Sequence, residues 1–221
     1  MTTHRCGCAT SPDPSSGVLR SVSRCPAHAA GRRDPATLDE AYYRSLGALD
    51  ADAPERYVGE LTEALGEIPV APPGGKAMEI GCGASPYVGA IRDAGWRYFG
   101  ADPSPWAVGW LVDQGVEAAC TGLEGVGGFL FPALILAAHS LEHMADAPAA
   151  VRKCADLLTP GGELWLIVPD DSDLLNPDHV WFFTPATLRS CLEAAGLAVV
   201  RLEVRRRVEK ELFIYARARK P

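Results

Sequence analysis

The stretch EIGCGASPY, residues 79–87, joins an apolar run to a helical pattern through two closely spaced glycines. The run AMEI at 77–80 is short and apolar, as expected of a buried strand. Gly81 and Gly83 stand where this strand turns into the helix predicted at 85–95. Because glycine has no Cβ, a ligand can approach the backbone N–H groups there, and a helix N-terminus favours anionic groups. The stretch therefore predicts either a ligand-binding loop or a tight structural turn.

The alternation of strand and helix continues along the rest of the chain. Further strands are predicted at 96–102, 116–120, 131–140 and 163–170, with helices at 104–115, 146–158 and 184–196. The last two segments, 197–206 and 209–218, alternate in polarity and lie close together, like a hairpin. Strands that alternate with helices predict an α/β fold with a parallel, doubly wound sheet, to which the hairpin adds antiparallel strands at one edge.

The part of the chain before this series has a different composition. Residues 1–34 are rich in Ser, Pro, Gly, Arg and Cys, whereas 35–70 contain two helical patterns, the first capped by Asp34 with Pro35 at its first position. We therefore expect a small Cys/His-rich segment at 1–34, a helical cap at 35–70 and the main domain at 71–221.

Composition and charge exclude several classes of protein. With 48% hydrophobic residues among 221, the bulk of the chain is not disordered, and a net charge of −7 argues against a general nucleic-acid binder. No window approaches the roughly 20 apolar residues of a membrane span, and the first residues lack the apolar core of a signal peptide. We expect a cytoplasmic protein that binds neither nucleic acid nor membrane.

Two carboxylates stand at the ends of the first two predicted strands. Glu79 lies two residues before Gly81, and Asp102 ends the next strand. A buried carboxylate is costly unless something pairs with it, and a ligand ammonium would do so at Glu79. Asp102 is placed to accept hydrogen bonds from a ribose diol, or to cap the next helix. The third glycine of a dinucleotide fingerprint is missing, since Ser85-Pro86 occupies that region.

Four stretches in order resemble the motifs of class I S-adenosylmethionine-dependent methyltransferases. They are EIGCGASPY at 79–87, GADPSPWAV at 100–108, LILAAHSLEHM at 134–144 and LLTPGGELWLIVPD at 157–170. The likeness covers residues 75–221 and is nearest to the small-molecule branch that includes quinone-biosynthesis enzymes. It implies a Rossmann-like sheet of seven strands whose last strand is antiparallel.

The resemblance also implies a set of cofactor-binding residues by position. The set comprises Glu79, Gly81 and Gly83 at the methionine half of S-adenosylmethionine, Asp102 at the ribose hydroxyls, and Pro103, Ser104 and Glu124 around the adenine.

Two histidine-containing stretches follow the fourth and fifth strands, where an open α/β sheet places its binding crevice. His139 ends the fourth strand, and His179 lies in the loop after the fifth. We predict that one of them acts as a base, which contributes roughly 10²–10⁴-fold where the nucleophile begins protonated. The alternative is that both are bonded into their loops. The Glu142-His143 pair between them is common in the methyltransferase family that this sequence resembles, where its role is mostly structural.

Aromatic and acidic side chains accompany His179. Trp181 and Phe183 are predicted to contact the substrate, although aromatic residues at this position can equally seal the core. The acids Asp170, Asp171 and Asp173 are expected to form a solvated loop, while a metal-assisted transfer is the alternative.

Cys6, Cys8, Cys25 and His28 form the remaining candidate site. Three thiols and an imidazole satisfy a closed tetrahedral zinc site, which would order a segment with few apolar residues. A disordered tail or redox-active thiols are the alternatives.

These features predict a methyltransferase that uses S-adenosylmethionine to methylate a small-molecule acceptor by in-line displacement. One alternative is an inactive, methyltransferase-like binding module, and another is an NAD-linked oxidoreductase. The glycine and carboxylate set at 79–102 favours retained cofactor binding, and the missing third glycine argues against NAD.

Overall fold

The computed structural model describes residues 20–21, 33–127, 131–170, 178–206 and 212–221. The strands in these ranges are β1 (Arg20–Ser21), β2 (Lys76–Ile80), β3 (Arg97–Asp102), β4 (Ala118–Cys120), β5 (Leu134–Ala138), β6 (Glu163–Pro169), β7 (Trp181–Phe182), β8 (Ala198–Arg206) and β9 (Leu212–Arg219). The α-helices are α1 (Glu40–Ser45), α2 (Ala53–Leu65), α3 (Val88–Asp93), α4 (Pro105–Asp113), α5 (Ala147–Leu157) and α6 (Pro185–Ala194).

Seven of these strands form one sheet in the order β4-β3-β2-β5-β6-β9-β8. The first five are parallel to one another, whereas β9 runs antiparallel to both β6 and β8. The chain moves from β2 outward to β4 and then returns to β5 on the other side of β2. A crevice opens at the carboxyl ends of strands where the order reverses in this way. The predicted doubly wound, Rossmann-like sheet with an antiparallel terminal hairpin is confirmed.

Both faces of the sheet are covered by helices. Along β6, Leu164 and Leu166 face one apolar core with α5 and α6, while Trp165 and Ile167 face a second core with α2 and α3. Each fully buried side chain of this size contributes roughly 1.5–3 kcal/mol of burial free energy. After Glu163 the strand is therefore apolar rather than alternating, as is typical of a parallel sheet covered on both sides.

Helix α2 is an integral part of the second core. Its C-terminal carbonyls accept hydrogen bonds from arginines of the terminal hairpin: Arg201 and Arg205 donate to Glu63 O at 3.3 and 2.9 Å, and Arg217 donates to Leu65 O at 3.4 Å. These carbonyls have no partner within the helix, and cations favour this end of its dipole. The division of the chain at residues 34 and 70 stays a prediction.

The helix predicted to begin at Pro35 is broken into two pieces. A single 3-10 turn, Pro35–Thr37, is capped by Asp34, and then the backbone extends through Leu38. A second cap, Asp39, accepts a hydrogen bond from the Tyr42 N–H at 3.1 Å and starts α1. Two capping aspartates so close together explain why the segment forms two short elements rather than one helix.

The remaining described strands form a small second sheet. In it, β1 pairs antiparallel with β7, with Arg20 opposite Phe182 and Ser21 opposite Trp181. The predicted zinc ligands Cys6, Cys8, Cys25 and His28 lie outside the described residues, as do Asp171 and Asp173. Within the described ranges, no helix is both long enough and apolar enough to span a bilayer.

Candidate functional site

A cavity of about 1030 Å³ opens at the carboxyl ends of β2, β3 and β5. This is the position at which the order of the strands reverses. Its lining includes most of the residues predicted from the sequence: Glu79, Gly81, Gly83, Asp102, Pro103, Glu124, His139 and His179.

Both glycines of the loop after β2 are required by the backbone and by close neighbours. Gly81 and Gly83 have φ angles of +63° and +52°, which side chains rarely adopt. A Cβ at Gly81 would stand 2.4 Å from Ser140 Cβ, and one at Gly83 would stand 2.8 Å from Tyr43 Cε1. The loop therefore runs directly between the end of β5 and helix α1.

Glu79 is buried at the end of β2 with only 2% of its surface exposed. Its Oε2 accepts hydrogen bonds from Ser85 Oγ at 2.6 Å and Tyr98 OH at 2.7 Å. Burial raises the pKa of Glu79 to about 7, and the charge of Asp102 adds to this, although both hydrogen bonds act against it. The protein thus supplies partners that the sequence did not identify, and Glu79 lies close to its protonation midpoint at neutral pH.

Asp102 fastens the end of β3 to the glycine loop. Its Oδ2 accepts from the Gly83 N–H at 2.8 Å, and its Oδ1 accepts from the Ser104 N–H at 2.7 Å. Burial raises the pKa of Asp102, while these two backbone hydrogen bonds oppose the shift. Because each carboxylate oxygen can accept two hydrogen bonds, both oxygens keep capacity for a ligand.

Ser104 has a structural role that differs from the predicted contact with adenine. It is fully buried and does not line the cavity. Its hydroxyl accepts from the Ala107 N–H at 3.2 Å, capping α4, and donates to Leu38 O at 2.9 Å. The hydroxyl joins the segment before α1 to α4, and the contact of Ser104 with adenine stays a prediction.

Tyrosines of α1 cover the glycine loop, a feature that sequence reasoning missed. The Tyr43 ring, next to Gly83, stacks on Trp106 with centroids 5.1 Å apart. Tyr42 lines the cavity, and the Arg33 guanidinium lies over its ring at 4.7 Å. The signal in the sequence was the pair of adjacent tyrosines in an otherwise polar helix.

His139 occupies a strained position at the end of β5 and faces the cavity. Its φ is +52°, which is uncommon outside glycine and is concentrated at functional sites. Its ring meets Phe213 edge-on with centroids 4.9 Å apart, and its Nδ1 lies 4.0 Å from Glu142 Oε1. The structure therefore places His139 where a reacting group could be reached.

Glu142, His143 and His179 form a second polar group on the same wall. Glu142 is 1% exposed and His179 is 5% exposed. His143 Nε2 lies 3.8 Å from Glu142 Oε1, and its Nδ1 lies 2.9 Å from Asp178 O. One possible ligand atom from each of the three residues lies within 4.8 Å of the others. The Glu142-His143 pair, expected to be structural, also lines the cavity.

Trp181 and Phe183 do not line the cavity. Phe183 is completely buried in the core formed with α5 and α6, and Trp181 packs against that core while its indole N–H donates to Met144 O at 2.9 Å. Both side chains therefore pack in or against the core, and their contact with substrate stays a prediction. The aromatic residues that line the cavity include Tyr42, Tyr43, Tyr57, Tyr87 and Phe213.

Comparisons with known proteins agree with this geometry. Residues 49–202 match the family model described as a methyltransferase domain. The chain is 29% identical over 131 residues to ubiquinone biosynthesis O-methyltransferase of Xanthomonas axonopodis pv. citri (strain 306), covering 53% of this chain and 54% of that protein. The chain thus spans about half the length of this curated relative.

Two solved structures share the fold. The N-methyltransferase NodS from Bradyrhizobium japonicum WM9, in complex with S-adenosyl-l-homocysteine, has a TM-score of 0.64 at 22% identity, covering 81% of this chain and 98% of that one. The 1,6-didemethyltoxoflavin-N1-methyltransferase of Burkholderia thailandensis has a TM-score of 0.62 at 18% identity, covering 81% and 84%. At these identities the likeness concerns the fold. On the match over residues 49–202, the chain belongs to the methyltransferase domain family.

Proposed function

We propose that this protein binds S-adenosylmethionine at the glycine loop and transfers its methyl group to a small-molecule acceptor. The observation that carries the proposal is the hydrogen bond from Gly83 N–H to Asp102, which joins the loop to a buried carboxylate at the edge of the cavity. Family membership supports the same reaction.

The proposed cofactor position follows from the polar groups along the cavity. Glu79 receives the ammonium of the methionine half, which favours its ionised form, and Asp102 accepts hydrogen bonds from the ribose hydroxyls. Pro103 and Glu124 border the adenine, since both line the cavity beyond Asp102. Tyr43 covers the loop from the side of α1.

Methyl transfer depends more on the alignment of the acceptor with the methyl donor than on reactive side chains. The sulfonium is already an activated donor, so the cofactor supplies the chemistry. Holding the acceptor atom, the methyl carbon and the sulfur in line contributes roughly 7–11 kcal/mol. His139 and His179 line the acceptor end and are the candidates for removing a proton from the acceptor.

The size of the cavity supports a small-molecule acceptor. Ligand pockets for small molecules are typically about 300–1,000 Å³, so a volume of about 1030 Å³ accommodates a cofactor together with a compact acceptor. The names of the similar proteins include both an O-methyltransferase and N-methyltransferases, which leaves the acceptor atom to the chemistry of this site.

The test combines binding with turnover. Purified protein is titrated with S-adenosylmethionine and, for comparison, with NAD, and then mixed with labelled cofactor and panels of phenols, alcohols, amines and thiols. We expect binding of S-adenosylmethionine alone, weakened at least tenfold by Asp102→Ala, and label in one acceptor class. Binding of NAD instead would favour the oxidoreductase, and binding without transfer to any panel would favour the inactive module.

We also propose that Cys6, Cys8, Cys25 and His28 hold one structural zinc ion, on the chemistry of these residue types alone. Stoichiometric zinc in the purified protein, lost in Cys6→Ser, is the expected result. A folded protein that contains no zinc would contradict it.

A further inference from the structure

We propose that Glu142, His143 and His179 bind one Zn²⁺ ion at the acceptor end of the cavity. One ligand atom of each residue lies within 4.8 Å of the others, two of the residues are buried and all three line the cavity. Within the part of the chain that the structure describes, this is the group of His, Cys, Asp and Glu side chains close enough to share an ion.

The hydrogen bond made by His143 fixes which of its nitrogens faces the group. Nδ1 lies 2.9 Å from Asp178 O, and a carbonyl oxygen can only accept, so Nδ1 carries the proton. In the neutral ring, Nε2 is then a lone-pair donor to metal, and it lies 3.8 Å from Glu142 Oε1. This separation is too long for a hydrogen bond. It is slightly longer than the roughly 3.3–3.6 Å between two ligand atoms of a tetrahedral zinc ion with bonds of about 2.0–2.2 Å, so a side-chain shift of a few tenths of an ångström brings both atoms onto one ion.

Contacts around the group hold its two loops together. The Val180 N–H donates to Glu142 O at 2.8 Å, which joins the backbone next to His179 to that of Glu142. The Asp178 carboxylate accepts from the Arg33 N–H at 2.9 Å and from Arg33 Nε at 2.8 Å. Metal-ligating histidines commonly donate their second N–H to a backbone carbonyl, which orients the ring. His143 has that arrangement here.

The donor set indicates both the kind of ion and its role. Two imidazoles and a carboxylate suit zinc or a neighbouring transition metal better than magnesium, which prefers oxygen ligands. Zinc sites with three protein ligands keep an open coordination position, and because all three residues line the cavity, that position would face it. As a ligand, His179 does not act as the base, which leaves that role to His139.

The open position identifies an acceptor class, an inference that rests on the proposed methyl transfer. A zinc ion lowers the pKa of a hydroxyl bound to it. We infer that the acceptor is a phenol or an alcohol bound through its oxygen. The O–H proton passes to His139, an O–CH₃ bond forms as the S–CH₃ bond breaks, and the electron pair of that bond stays on sulfur. The products are the methyl ether and S-adenosylhomocysteine.

The test uses the full chain, stripped of metal and titrated with Co²⁺ as a spectroscopic stand-in for Zn²⁺. A triple variant, Cys6→Ser/Cys8→Ser/Cys25→Ser, removes the thiols of the amino-terminal cluster. We expect this variant to bind one equivalent of Co²⁺ with visible absorption bands but no thiolate charge-transfer band. Adding His179→Ala, or Glu142→Gln, should weaken Co²⁺ binding at least 100-fold, whereas adding His139→Ala should change it less than threefold.

A cooperative thermal unfolding transition establishes that each variant is folded. If His179→Ala does not fold, Glu142→Gln, which preserves the shape of the side chain, tests the metal site in its place. A folded triple variant that binds no Co²⁺, or binds it equally after Glu142→Gln, overturns the metal site. Adding phenol should shift the Co²⁺ bands, and unchanged bands with phenol and with simple alcohols overturn the acceptor class. Binding of S-adenosylmethionine, measured separately by calorimetry, reports on the proposed function and not on the ion.

Discussion

At the cofactor end of the cavity, Glu79 and Asp102 accept four hydrogen bonds of 2.6–2.8 Å from the protein itself. At the acceptor end, Glu142 Oε1 stands 3.8 Å from His143 Nε2 and 4.0 Å from His139 Nδ1. The two carboxylates of the cofactor end are in direct hydrogen-bond contact with their neighbours, whereas these two separations at the acceptor end are longer than a hydrogen bond. The proposed ion would join the groups of the acceptor end, whereas the fold alone joins those of the cofactor end.

Because the two ends differ in this way, substitutions at the cofactor end and at the acceptor end should affect different properties of the protein. At the cofactor end, side chains and backbone are joined, so a change there alters the free energy of unfolding together with cofactor affinity. At the acceptor end, a change alters turnover or metal binding with less effect on stability.

The largest effect is expected for Gly81→Ala. Its φ of +63° and the approach of the new Cβ to within 2.4 Å of Ser140 Cβ should lower the free energy of unfolding by about 3–5 kcal/mol. Urea denaturation measures this. Gly89→Ala is the control, because its Cβ enters open space in α3 and alanine favours helix by about 1 kcal/mol. Equal stabilities for the two variants would contradict the account of the loop.

Glu79→Gln should change how stability depends on pH. The folded pKa of about 7 is raised above the unfolded value, so the contribution of Glu79 is fully present below its unfolded pKa and is lost as pH rises through 7. The glutamine variant escapes this loss, so its advantage over the parent should grow to about 3 kcal/mol between pH 5 and pH 8.5. The exposed Glu67→Gln gives the baseline for removing one charge. If the difference in unfolding free energy between Glu79→Gln and the parent stays constant with pH, Glu79 does not titrate with the raised pKa given above.

His139→Ala should lower kcat by about 100-fold or more, with the Kd for S-adenosylmethionine changed less than threefold, because the lost group is the proposed base. His139→Gly removes the same ring and relieves the φ of +52°. It should therefore be as inactive as the alanine variant but more stable in thermal unfolding. Unchanged turnover in either variant would remove His139 from the mechanism.

The smallest effect is expected for Thr184→Ala, outside the cavity. Thr184 Oγ1 accepts from the Thr187 N–H at 3.2 Å, and Thr187 Oγ1 accepts from the Thr184 N–H at 2.8 Å. These two reciprocal hydrogen bonds form a capping box at the N-terminus of α6. Loss of this cap should cost about 1 kcal/mol in urea denaturation. Affinity for S-adenosylmethionine should stay the same, and a large change in that affinity would link α6 to the site in a way the contacts do not show.

Local patterns were sufficient for the sheet and for the glycine loop. Apolar runs and capping residues lie close together in the chain, and Gly81 and Asp102 each stand at a strand end that the pattern identifies. The partners of Glu79 were not predictable, because Ser85 and Tyr98 reach it from different elements.

The acceptor end was harder to predict for the same reason. Trp181 and Phe183 resemble substrate contacts in sequence, but Trp181 pairs with Ser21 from the far end of the chain and Phe183 faces the core. Likewise, His179 and Glu142 come together across two loops that the hydrogen bond from the Val180 N–H to Glu142 O joins. The periodicity of apolar residues within one element does not predict a contact between two distant loops.

The most direct test of the account is calorimetric titration with S-adenosylmethionine near pH 6.5, in two buffers of different ionisation enthalpy. If the ligand ammonium meets Glu79, binding lowers the pKa of this carboxyl and releases its proton. The account predicts one-site binding with proton release in the parent, no release in Glu79→Gln, and no binding of NAD to either. A folded protein that gives no saturable heat with S-adenosylmethionine, or that binds NAD as well, would contradict it.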